Sequence, residues 1–269
     1  DNRFLYIGLG CFYKNFEIAA SYFGFRIARK NIIKNNTLTI EATLEETGDK
    51  DNKELFQAIA NRLTNRNVYT EKKITKKDFE QIKDVAKKHD VNIEVVTEND
   101  KKQRLIDLTE KGDYLVWTDP KFQDEHLKWI RHSLTTKGDG MPAFTVGIPL
   151  PLSFFAWPAI KKLPFAKIQA KKNRVLLNST PYFAFILTER HDTETWTKVG
   201  EALEEIWLFT TSKGLSLAPM AQIVEVQDLY KETMSILDTK LRPQVFFRLG
   251  YASKGARHSP RRRVEEIVQ

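Results

Sequence analysis

The stretch Arg62-Leu63-Thr64-Asn65-Arg66 closes the segment Leu55-Phe56-Gln57-Ala58-Ile59-Ala60-Asn61, whose apolar spacing predicts a helix. If the helix ends near Asn61 and the chain runs on extended, Arg62, Thr64 and Arg66 alternate and point the same way. Two guanidinium forks flanking a hydroxyl suit a phosphate dianion. The competing reading is a solvated basic turn after an amphipathic helix, and spacing alone favours it because charged turns are common. Residues far along the chain change that balance.

The 269 residues are enough for one large domain or two small ones. With 41% hydrophobic and 29% charged residues, the composition is that of a globular protein rather than a disordered one. The net charge of +8 favours anionic ligands, but only Arg261-Arg262-Arg263 is a dense basic cluster, which argues against nucleic acid as a partner. Cys11 is the only cysteine, so neither an intrachain disulfide nor a cysteine-based zinc site is available. That suits a reducing compartment, and with no signal-peptide pattern in the first residues a cytoplasmic location is expected. The most apolar region, 143–165, is broken by Pro149, Pro151, Pro158 and Pro164 and cannot be a continuous membrane-spanning helix. The chain opens at Asp1, almost directly in an apolar segment, so a preceding N-terminal portion is expected.

Residues 4–23 carry Leu5, Ile7, Leu9, Phe12, Phe16, Ala19, Ala20 and Phe23 around most of a helical wheel, which predicts a buried central helix. Gly8-Leu9-Gly10 inside it reads as close helix packing rather than a dinucleotide fingerprint. Residues 25–29 and 38–44 read as strands. Thr75 with Asp78 marks a helix start, followed by the stripe Phe79, Ile82, Val85 and Ala86. Residues 91–97 and 181–188 read as strands, 100–111 and 192–212 as helices, and Asp119-Pro120 opens another helix. Pro219 is expected to keep 215–222 irregular, 228–237 reads as a helix and 244–251 as a strand. Helices and strands that alternate without a clean βαβ repeat point to an α+β or mixed α/β fold with helices packed around one sheet.

Side-chain catalysis finds little support. His126 and His132 are six apart on a helix and face different ways, so they form no zinc pair with Glu125. Gly214-Leu215-Ser216-Leu217-Ala218 has Ala218 where a nucleophile elbow needs glycine. Glu204-Glu205 reads as a solvated pair on an amphipathic helix. No metal site and no catalytic side-chain set emerges, so an enzyme built on this chain requires a cofactor.

Four segments in order resemble the FMN-dependent nitroreductase family: Arg62-Leu63-Thr64-Asn65-Arg66, the helix from Thr75, Gly214-Leu215-Ser216-Leu217-Ala218-Pro219-Met220 after its long helix, and the basic end Ser259-Pro260-Arg261-Arg262-Arg263. Trp129-Ile130-Arg131, Asp139-Gly140-Met141-Pro142 and Arg248-Leu249-Gly250-Tyr251 resemble its Acg-like branch, in which two halves are fused into a pseudo-dimer. The resemblance implies an α+β fold with a central, mainly antiparallel sheet surrounded by helices. It implies that 1–52 is the remnant of a first half and 53–269 a second half, with an irregular lid at about 143–165. It further implies that Arg62, Thr64, Arg66, Arg261 and Arg263 hold the FMN phosphate, that Pro219 belongs to the loop beneath the flavin ring, and that backbone donors around Met220, Ala221 and Gln222 face the isoalloxazine edge. The family's Ala-Pro-Ser and Asn-x-Gln-Pro-Trp stretch is missing, and Ala221 and Gln222 stand where an acidic residue and a glycine often follow the loop proline. The activity so implied passes electrons from NAD(P)H through FMN to a nitro or quinone-type acceptor, with a homodimer as an open option. The alternative is an Acg-like protein that stores or sequesters FMN with little turnover. A third reading is a basic module that binds an acidic partner through its tail.

Overall fold

The computed structural model describes residues 2–35, 37–154 and 164–268. Its centre is a four-stranded antiparallel sheet in the order β3-β6-β8-β7, formed by β3 (Asn92–Val96), β6 (Tyr182–Thr188), β7 (Ser216–Pro219) and β8 (Arg242–Gly250). Alternation along the two central strands sends side chains to opposite faces. Ala184, Ile186, Val245, Phe247 and Leu249 face one core, with α3 (Lys76–Lys88) and α7 (Thr193–Ser212). Phe183, Phe185, Leu187 and Phe246 face a second, with α4 (Asn99–Thr118), α6 (Phe165–Asn178) and α8 (Leu229–Leu237). Phe185 and Phe246 stack across the strand pair at 4.7 Å. Burial on both faces explains why these strands read as near-continuous apolar runs.

The helix at the centre of the molecule is α7, not the N-terminal one. Asp192 caps α7 by accepting from the Thr195 N–H. Helix α1 (Arg3–Tyr22) lies along it and buries Tyr6, Ile7, Gly10, Tyr13 and Ile18, while Leu5, Phe12 and Phe23 are exposed. The expectation of an all-round buried helix is thereby corrected: α1 is covered on one side. Gly10 permits the crossing, since a Cβ there would overlap the Thr197 carbonyl, and Gly200 does the same opposite Ile7. Gly8 meets nothing within 4 Å and plays no part in it.

The early strands are longer than expected and form a hairpin, β1 (Phe25–Lys34) with β2 (Thr37–Glu46). Helix α2 (Lys53–Asn61) follows and packs Ala58 against Leu208 of α7. Thr75 caps α3 as expected, accepting from the Asp78 N–H at 3.1 Å. Helix α4 runs on to Thr118, and α5 (Pro120–Trp129) starts at Pro120 under the Asp119 cap. A short parallel pair, β4 (Ile130–Arg131) and β5 (Met141–Pro142), closes the 138–142 turn. The segment 215–222 is corrected too: 216–219 is an edge strand paired with β8, and Pro219 is tolerated because it ends that outer strand.

The Glu204-Glu205 pair is likewise not solvated. Glu201, Glu204 and Glu205 are all buried on α7, with cations brought to them from four other elements. Arg29 of β1 meets Glu201, Lys14 of α1 and Lys88 of α3 meet Glu205, and Arg62 after α2 meets Glu204. Among the described residues, no helix is long and apolar enough to cross a membrane.

Candidate functional site

Helix α2 stops at Asn61 because Arg62 turns to extended backbone (φ −63°, ψ 128°). The loop that follows is fixed by an arginine in the last core strand. Arg248 is almost wholly buried and donates to the carbonyls of Asn65, Asn67 and Leu176, each at 3.2 Å. Its guanidinium lies 4.4 Å from the centroid of the Tyr69 ring, and the Tyr69 hydroxyl donates to the Asn65 carbonyl. Asn65 Nδ2 in turn donates to the Lys254 carbonyl at 2.9 Å, while Thr70 and Ser253 add backbone bonds to Tyr251 and Val68. The loop and the start of the C-terminal tail are therefore one tied unit.

A cavity of about 390 Å³ opens between them. Arg62, Thr64 and Arg66 line it on one side, and Arg257, His258 and Arg261 line it from the tail. Phe144, Thr145 and Gly147, from the described part of the 143–165 segment, add a third wall, with Lys172 of α6. No carboxylate lines this cavity among the described residues. Gly138 holds the tail in place: a Cβ there would lie 2.5 Å from Arg262 N and 2.7 Å from its Cα.

The cations differ in their freedom. Arg62 Nε stands 2.9 Å from buried Glu204 Oε1, and its guanidinium lies 4.5 Å from the Trp207 ring centroid. Arg66 has a long bond to the Thr145 carbonyl, at 3.4 Å, and makes no ion pair among the described residues. Lys172 donates to the Val146 carbonyl, and burial together with the nearby Arg66 charge lowers its pKa to about 8. Among the described residues, Arg261 bonds only back to its own segment, at Ser259 and Pro260. Arg263, expected beside it, lines neither this cavity nor the next.

The second cavity, of about 240 Å³, shares Arg66, Met141 and Lys172 with the first. Its lining is largely apolar: Trp117, Phe122, Ile130, Phe165, and the loop Ala218, Pro219, Met220 and Ala221 with Gln222. His126, set aside above as a metal ligand, packs here against Phe122 and Trp117 at 5.4 and 4.8 Å. Burial and Arg66 lower its pKa, which favours the neutral ring. The Met220 N–H is already given to the Phe246 carbonyl at 2.9 Å, which corrects its expected role as a donor to the site. The N–H groups of Ala221 and Gln222, at the start of a single helical turn, are the donors that remain. Residues 155–163 of the expected lid lie outside the described residues.

Sequence reasoning missed Arg248, Lys172, Trp117, Phe122 and Phe165. For Arg248 a signal existed: a lone charge within Val245-Phe246-Phe247-Arg248-Leu249 has no apolar reason to be there. The others stand on helices where a core role reads equally well. Among the described residues, no group of three or more His, Cys, Asp or Glu is arranged to hold a metal ion.

No protein-family model matches the sequence, and comparison with curated proteins finds no match. Solved structures do match. The FMN-dependent nitroreductase NfnB from Mycobacterium smegmatis, in complex with NADPH, is 12% identical, with a TM-score of 0.52 over 81% of this chain and 97% of that one. Oxidized iodotyrosine deiodinase, bound to FMN and 3-iodo-L-tyrosine, is 16% identical, with a TM-score of 0.51 over 78% of this chain and 96% of that one. NfrA2 of B. megaterium is 14% identical, with a TM-score of 0.50 over 81% of this chain and 74% of that one. The chain has a nitroreductase-like fold. Within this nitroreductase-like framework, the double cavity lies where the edge strand β7, the post-α2 loop and the C-terminal tail converge.

Proposed function

We propose that the double cavity binds FMN and that the protein is a nitroreductase-like NAD(P)H oxidoreductase. The observation that carries this reading is the adjacency of the two cavities: Arg66, Met141 and Lys172 line both a cationic cavity, without carboxylates among the described residues, and a largely aromatic one. A ligand that suits both is anionic at one end and planar and apolar at the other, and FMN fits that description. Arg66, Thr64 and Arg261 would hold the phosphate, with Arg62 contributing charge while it remains tied to Glu204. Trp117, Phe122 and the Ala218–Gln222 loop would sandwich the ring and exclude water, and the N–H groups of Ala221 and Gln222 would meet its polar edge. Bound FMN would supply the redox chemistry, taking a hydride from NAD(P)H and passing electrons to a nitro or quinone-type acceptor. Arg263 would contribute only through the general field of the tail.

FMN storage is the second reading. It is favoured by the 143–165 segment, whose described residues help wall the site, Phe144 in the first cavity and Val146 and Phe165 in the second. The outward apolar side chains Leu5 and Phe12 of α1 and Phe23 just after it support packing of a second nitroreductase-like unit there, from another copy or a fused half.

The test is a titration of purified protein with FMN, followed by visible absorbance and fluorescence. Uptake of FMN with bleaching by NADPH or NADH without oxygen is the expected result. Uptake without bleaching would favour storage, and a preparation that takes up no FMN would end both flavin readings.

A further inference from the structure

Helix α4 carries a buried carboxylate that the flavin reading leaves unused. Asp113 is fully enclosed, and its partners are two neutral amides. Asn173 Nδ2 of α6 donates to its two oxygens at 3.1 and 2.9 Å, and Gln222 Nε2 donates to Oδ1 at 2.8 Å. Both amides line the aromatic cavity, from different elements. The helix gives Gln222 room beside Asp113: at Gly112 a Cβ would lie 2.9 Å from Gln222 Cβ and 3.2 Å from Leu229 Cδ1.

An ionised carboxylate only accepts hydrogen bonds, so both amides must turn their nitrogens toward it. The consequence passes along the cavity wall. Asn173 Oδ1 faces Gln169 Nε2 at 3.4 Å, and Gln169 is a third lining residue. Gln222 Oε1 is buried without a partner among the described residues. We infer that Asp113 is a positioning residue for the ligand cavity, fixing the orientation of the Gln222, Asn173 and Gln169 amides and tying the loop after β7 to α6. The inference rests on the flavin reading for the identity of the ligand.

The clamp can be released by a proton. Asn173 Nδ2 reaches both oxygens, whereas Gln222 reaches Oδ1 alone, so a proton on Oδ2 sets an O–H against the Asn173 N–H group and favours turning the Asn173 amide to offer its oxygen, while Oδ1 can still accept from Gln222. Burial pushes Asp113 up to about 6; the Asn173 and Gln222 bonds oppose the rise and Glu110 adds to it. The charged groups on the packed elements are engaged elsewhere or stand apart. Arg174 of α6 pairs with Asp107 and Glu110, Lys172 bonds Val146, and Glu232 of α8 pairs with Lys111. His126 of α5 and Glu225 after β7 line the same cavity and make no ion pair with Asp113.

The experiment compares wild type with Asp113→Asn, an isosteric mimic of the protonated acid. FMN dissociation constants are measured by fluorescence quenching at about pH 8 and about pH 5. The variant is expected to bind about tenfold more weakly at the higher pH, and to come within about twofold of wild type at the lower, where wild type is protonated too. Taking the ratio at each pH cancels titration of the FMN phosphate and of His126. A penalty that is equal at both pH values, as a merely structural role would give, overturns the inference, as does a ratio of one throughout. Side-chain amide NMR signals of Gln222 and Asn173 in ligand-free wild type provide the second measurement. They should titrate with a midpoint near 6, and signals that ignore pH overturn the clamp whether or not the variant folds. Amides that titrate in a wild-type protein that takes up no FMN would instead overturn the flavin reading and, with it, the ligand-positioning role.

Discussion

Arg62 and Arg66 are identical residues four apart with different duties. Arg62 neutralises Glu204, whose carboxylate is almost wholly buried. Removing it leaves an unpaired buried charge, so Arg62→Ala should cost about 3 kcal/mol of stability in urea denaturation. Arg66 has no carboxylate to abandon, so Arg66→Ala should cost less than about 1 kcal/mol while sharply weakening FMN uptake. A second residue-scale consequence concerns acid. Burial alone would raise the Glu205 pKa, but the bond to His89 and the charges of Lys14 and Lys88 outweigh it and bring it down from 4.5 to about 2. A depressed carboxylate pKa gives stability that is complete above the unfolded value and lost as pH falls toward the folded one. Glu205 should therefore account for about 3 kcal/mol of the stability wild type sheds between about pH 4.5 and about pH 2, and Glu205→Gln should lack that share while keeping the acid loss due to Glu201 and Asp192 in its denaturation midpoints.

At the scale of elements, the contact of α1 with α7 depends on paired glycines. Gly10→Val should force the helices apart and lower the melting temperature by several degrees, with about 2–3 kcal/mol lost to overpacking. Gly8→Ala, two residues away with open space around it, should instead gain up to about 1 kcal/mol from helix propensity. The sequence pattern marked Gly8-Leu9-Gly10 as a packing site but could not tell which glycine packs, because that depends on how α1 is rotated against α7. The same limit explains the misread acids of α7. Glu204-Glu205 looked solvated because adjacent carboxylates usually are; only the arrival of Arg62, Lys14, Lys88 and His89 from other elements makes their burial tolerable. Pro219 shows the complementary case. Local patterning marks it as a break, yet at the end of an edge strand its missing N–H costs no ladder bond.

At the scale of the whole molecule, the proposed site exists because distant segments are tied together. Arg248 and Asn65 lock the post-α2 loop to the strand that leads into the tail, and Gly138 seats the tail against the 138–142 turn. Gly138→Val should therefore displace Arg261 and weaken FMN binding, with the melting temperature nearly unchanged because the residue touches neither core. A flavin titration alongside thermal unfolding checks both halves of that statement.

The sequence by itself determined the local elements, the α+β class and the phosphate-suited spacing of Arg62, Thr64 and Arg66, because helix caps, apolar periodicity and alternation act over a few residues. Tertiary structure alone decided which of those cations are free. Charge neutralisation acts through space, so Arg62 is claimed by Glu204 and Arg66 is not, and no local pattern encodes that difference.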